Sequence, residues 1–77
     1  MKSRPSRATG VAIDRAKMRR LRQLKGLNQP ELAARVGVTR SYIGHIESGR
    51  RPTMSPRVFA ALCDALELKD REELMAS

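Results

Sequence analysis

An all-α fold, a compact bundle of about five short helices, is what this sequence predicts, and three observations predict it. Apolar residues recur at helical rather than alternating spacing from Val11 onward. Each apolar stretch follows a residue suited to capping a helix, with Asn28, Thr39, Ser55 and Asp70 the clearest cases. With one tyrosine, one phenylalanine and no tryptophan, the core must be built from aliphatic side chains, and no strand is needed to bury them. At 77 residues the chain makes one small domain, which buries only about 60% of the surface its unfolded form exposes.

The elements follow in order. Residues 1–10, "MKSRPSRATG", have almost nothing apolar to bury and read as a flexible basic arm, a cloning remnant being the alternative; the domain proper is 11–77. From Val11 the pattern is helical, with Ile13, Ala16, Met18, Leu21 and Leu24 on one broad stripe and Arg15, Arg19 and Arg22 at or beyond its edges. Gly26 supplies a left-handed stop. Asn28 caps the second helix, Pro30 is tolerated in its first turn, and Glu31 completes the capping-box spacing, so Leu32, Ala33 and Val36 face inward. Gly37 and Val38 form a turn, and Thr39 caps a third helix that runs to about Glu47 before Ser48 and Gly49 end it. Ser55 and Pro56 open a fourth helix with Val58, Leu62, Ala65 and Leu66 on its apolar side. Asp70 and Glu73 have capping-box spacing for a fifth, which Leu74 docks.

The second and third helices, joined by a tight glycine turn, have the form of a helix-turn-helix. Steeply crossing helices need a small side chain at their contact, which Ala33 supplies, and the turn needs a residue tolerant of positive φ, which Gly37 supplies. At about 100° per residue, Thr39, Ile43 and Ile46 fall on one side of the third helix. Ser41, Gly44 and Ser48 fall on the other, flanked by Arg40 and His45. A mid-helix glycine costs about 1 kcal/mol against alanine, so Gly44 either serves close approach to a groove floor or is merely tolerated.

Charge names the class of partner. Sixteen Lys and Arg against eight Asp and Glu leave +8, which favours a polyanion such as nucleic acid or an anionic membrane surface. Residues 1–25 carry nine basic groups against Asp14 alone, while 58–77 carry two against five acids, so one end of the domain attracts anions. Cys63 is the only cysteine and cannot form an internal disulfide; with no secretory signal and no long apolar run, a soluble protein of the cytoplasm is expected.

The stretches "LRQLKGLNQPELAARVGV", "IGHIESGRRP" and "LCDALEL" resemble the lambda repressor and Cro-like helix-turn-helix DNA-binding domains, over about Met18 to Leu74. The resemblance implies five short helices and base reading by the first residues of the third helix and by one a turn later, here Arg40, Ser41 and His45 with Gly44 between them. Arg40 suits guanine O6 and N7, though phosphate contact or plain solvation would also suit it, and an exposed His45 needs no role. Glutamine often stands in the family where Arg40 and His45 stand here, so its base preferences do not carry over. Gln29 matches a glutamine that grips phosphate together with the N-terminus of its helix, and Tyr42, Arg50 and Arg51 are the other expected phosphate contacts, with Arg57 a possible addition. Arg22 and Glu47 match a structural salt bridge between the first and third helices. The stretch "RRPTMSPR" departs from the family's loop and leaves contacts beyond Arg51 unassigned. Lys2, Arg4 and Arg7 in the arm are expected to follow the duplex or enter its minor groove.

The expected function is sequence-specific binding of double-stranded DNA by a transcriptional regulator, a repressor acting as a homodimer, with no membrane partner. Any dimer is expected to use the domain itself, through the fifth helix and the loop before it. An antitoxin-like protein-interaction module with secondary DNA contact is the alternative from another class, and a membrane-surface binder is disfavoured by the glycine- and proline-punctuated helices. One histidine, one cysteine and scattered acids give no metal cluster, no activated nucleophile and no phosphate loop, so neither enzyme activity, nor a cofactor or metal, nor a small-molecule ligand is expected.

Overall fold

The computed structural model describes residues 10–76, in which four α-helices surround a single core and two short strands close one end. The first strand, β1 (Val11–Ala12), pairs antiparallel with β2 (Thr53–Met54), Val11 opposite Met54. Ile13 then bridges to Met75, and Ala76 N–H donates to the Ala12 carbonyl, so the N-terminal segment lies between the loop after the third helix and the end of the domain. This corrects the expectation of a helix from Val11 and of a fold without strands. Helix α1 (Arg15–Leu24) cannot start earlier because Asp14 caps it, accepting from Lys17 N–H, and an N-cap is itself extended. Pro52 and Pro56 bound the partner strand, and Met54 is buried from it.

The stripe on α1 is accordingly narrower than its periodicity suggests. Met18 is fully buried and Leu21 half-buried, but Ala16 is exposed and Leu24 is 73% exposed. The helix ends in a Schellman turn: Gly26, at φ +72°, donates to the Gln23 carbonyl and Leu27 to that of Arg22. That turn directs Leu27, not Leu24, inward.

Helix α2 (Gln29–Val36) begins with a complete capping box, Asn28 accepting from Glu31 N–H while the Glu31 carboxylate accepts from Asn28 N–H, both at 2.8 Å. Gly37 at φ +88° turns the chain into α3 (Arg40–Ser48), which Thr39 caps by accepting from Tyr42 N–H. Thr39 is exposed in that role and does not join Ile43 and Ile46 in the core. Helix α4 (Pro56–Ala65), capped by Ser55, packs against α2 and contributes Phe59, Leu62 and Cys63, with Leu66 just beyond it. Val58 and Ala65 are only half-buried.

The expected fifth helix is a single 3-10 turn over Arg71–Leu74. The Asp70 carboxylate accepts from Glu72 N–H while its backbone carbonyl accepts from Glu73 N–H, and Met75 is already extended for its bridge to Ile13. Leu74 is nevertheless fully buried, so the turn seals the core without helical length.

Candidate nucleic-acid interface

One side of α3 is committed to the core through Ile43 and Ile46, and the opposite side is left to solvent. Arg40, Ser41, His45 and Ser48 are exposed and Gly44 is half-buried among them. A helix presenting one open face with two polar edges has the shape that the major groove admits.

A charge network holds the edge of α3 that faces α1 and α2. Arg22 Nε donates to Glu47 Oε2 at 2.7 Å and Nη2 to Oε1 at 3.0 Å, a two-pronged ion pair between α1 and α3. The third guanidinium nitrogen, Nη1, donates to the Leu27 carbonyl at 2.8 Å. Arg22 is therefore buried, at 9% exposure, in the salt bridge with Glu47 that the family resemblance implies. Gln29 Nε2 adds a hydrogen bond to Glu47 Oε1 at 3.2 Å. Glu47 thus ties all three helices together at one carboxylate.

The other edge is organised by stacking. Tyr42 is half-buried, and the Arg51 guanidinium lies over its ring, 4.9 Å from the centroid. Arg51 N–H donates to the His45 carbonyl at 3.0 Å and Arg50 N–H to Ser48 Oγ at 3.3 Å, so the loop after α3 folds back along the helix that carries the exposed face. Arg50, Arg51 and Arg57 are all exposed. Lys2, Arg4 and Arg7 lie outside the described residues.

Two further arginines adjoin this face and were not singled out by their residue type. Arg15 Nη1 donates to the Ser48 carbonyl at 3.1 Å, placing a cation at the C-terminal end of α3. Gly49 is favoured there by its φ of +85°, and a Cβ would displace the Arg15 guanidinium from this position. Arg19 lines a shallow polar hollow of about 270 Å³ with Arg22, Gln29, Gly44, Glu47 and Ser48. The available signal was the i, i+4, i+7 spacing of Arg15, Arg19 and Arg22, which puts all three on one side of α1, toward α3.

Away from this face, burial pushes the Cys63 thiol above its ordinary value, against the opposing influence of Arg71, which leaves it a small apolar core residue. The Glu67 carboxyl is held below its usual range by its hydrogen bond to Lys25. Among the described residues no group of three or more His, Cys, Asp or Glu could hold a metal ion, and no helix is long and apolar enough to cross a membrane.

The helix-turn-helix domain family matches residues 15–76, and the chain belongs to it. A helix-turn-helix whose second helix turns an open polar face outward defines a DNA-binding transcriptional regulator. Among solved structures the chain is similar to the restriction-modification controller protein C.AhdI from Aeromonas hydrophila, with 37% identity and a TM-score of 0.70 over 77% of this chain and 86% of that one. No curated protein matches the sequence.

Proposed function

We propose that the protein is a sequence-specific repressor that binds double-stranded DNA as a homodimer, each copy laying α3 in the major groove. The observation that carries this reading is the outward face of α3: Arg40, Ser41 and His45 exposed around Gly44, on a helix whose opposite side is locked into the core. Arg40 and His45 contact base edges, Ser41 adds an adaptable hydroxyl, and Gly44 lets the helix backbone approach the groove floor. Tyr42, Arg50 and Arg51 hold phosphates on the flank, setting register without reading sequence. The role is binding and not catalysis.

The Arg22–Glu47 pair and the capped α2–α3 unit support a finer kinship with lambda repressor and Cro-like domains. Likeness to a restriction-modification controller protein supports a regulatory role for the bound protein. One reading helix per chain implies two half-sites with centres about 34 Å apart, so that the two helices enter successive major grooves on one side of the duplex. Selection of bound sequences from random duplexes, followed by footprinting, tests this. A paired, inverted motif at one-turn spacing is expected, and a single isolated half-site at saturation would contradict the dimer.

A further inference from the structure

We infer that Gln29, which belongs to α2, acts as a base reader on the face of α3, supplying there the functional group that Gly44 lacks. The geometry begins with Glu47. Its carboxylate, held by Arg22, can only accept hydrogen bonds, so the edge of the Gln29 amide that meets it must be the NH2 group. Oε1 is thereby left as the amide's free end.

That free oxygen lies in front of Gly44. A Cβ added to Gly44 would come to 3.7 Å from Gln29 Oε1 and 4.0 Å from Nε2, so the amide occupies the region into which any other residue's side chain would point. Those distances are ordinary contact, and Gly44 is not at positive φ. Nothing in the packing or the backbone therefore demands glycine, and its helix cost has no compensation inside the protein. Beyond close approach of the helix backbone to the groove floor, the compensation is access to the Gln29 oxygen, through the hollow that Arg19 and Ser48 also line.

The chemistry of that oxygen selects its partner. An acceptor cannot bind phosphate oxygens, guanine O6 or N7, or thymine O4, all of which are acceptors too. It can bind an exocyclic amino group in the major groove, adenine N6 or cytosine N4. Nε2 keeps one hydrogen after serving Glu47; a phosphate, guanine or thymine could engage only that hydrogen, whereas adenine N6 and N7 engage it together with Oε1, which makes adenine the preferred base. This differs from the phosphate role that the family resemblance implies for Gln29.

The inference rests on α3 lying in the major groove, and the experiment separates the two. Affinities of Gln29→Ala, Gly44→Ala and Arg40→Ala are measured against the preferred duplex and all its single-base-pair substitutions, with thermal unfolding as the control for folding. Gln29→Ala should lose roughly 5- to 150-fold discrimination at one base pair, an adenine or cytosine position. Gly44→Ala should unfold at the same or a higher temperature and yet lose discrimination at that same base pair, because its methyl group covers Oε1. A loss by Gln29→Ala spread evenly over all duplexes, or wild-type discrimination in Gly44→Ala, overturns the inference. When Arg40→Ala relaxes a base pair and Gln29→Ala relaxes none, only the Gln29 role fails; when neither relaxes any, the groove reading fails with it.

Discussion

Along one edge of α3, Glu47 sits between Arg22 and Gln29 in a part-buried network, whereas along the other Arg51 stacks on Tyr42 at the surface. The first edge is fixed by directional, charge-assisted bonds that fail together if one partner is removed. The second is held by a cation resting on a ring, an interaction tolerant of sliding and open to solvent. The difference teaches how one short helix can be both rigid and adaptable: its angle to α1 and α2 is set on one side, while the loop carrying Arg50 and Arg51 keeps freedom on the other.

Breaking the rigid edge should have the largest effect. Glu47→Ala leaves the Arg22 guanidinium buried without its counter-charge, and a loss of about 3–5 kcal/mol in folding stability is expected. Thermal unfolding would show this as a fall of at least about 12 °C. A fall of only a degree or two would mean that the network is ornamental and that the two edges are alike.

The start of the helix serves both edges equally. Thr39→Ala removes the acceptor for Tyr42 N–H and should cost about 1 kcal/mol, while Thr39→Ser keeps it. Denaturant titration that found the two variants equally weak would assign the loss to the missing methyl group rather than to the cap.

The smallest effect is expected at the stacked edge. Tyr42→Leu should remove about 0.5–1 kcal/mol and Tyr42→Phe almost none, since the ring and not the hydroxyl supports Arg51. In a double-mutant cycle with Arg51→Ala the Tyr42→Leu loss should shrink to the part that Tyr42 owes to its packing against the core. A loss undiminished without Arg51 would make Tyr42 a packing residue alone.

The same contrast accounts for what the sequence disclosed. The caps and turn of the α2–α3 unit were legible because their determinants are local: Asn28 with Glu31, Gly37, and Thr39 with the next turn act within four positions of one another. The β1–β2 pairing was not, since Val11 finds Met54 more than forty residues away and two-residue strands leave no alternation to detect. The fifth helix was overread because Asp70 and Glu73 have the spacing of a capping box, whereas the docking of Met75 against Ile13 draws the chain out of helical form. At the candidate interface, the exposed residues of α3 follow from helical geometry. The amide orientation of Gln29 and the contact of Arg15 with the end of α3 do not, because each depends on how three helices meet.

The central claim, that α3 reads sequence while the loop after it only grips, is tested most directly by comparing Arg40→Ala with Arg50→Ala. Both variants are titrated against the preferred duplex and its single-base-pair substitutions at two salt concentrations. Arg40→Ala should lose roughly 1–3 kcal/mol on the preferred duplex and discrimination at one base pair, with little change on nonspecific DNA. Arg50→Ala should weaken every duplex about equally and lower the salt dependence by about 0.9 log unit, the signature of one phosphate contact. Equal losses on all duplexes for Arg40→Ala would contradict the account.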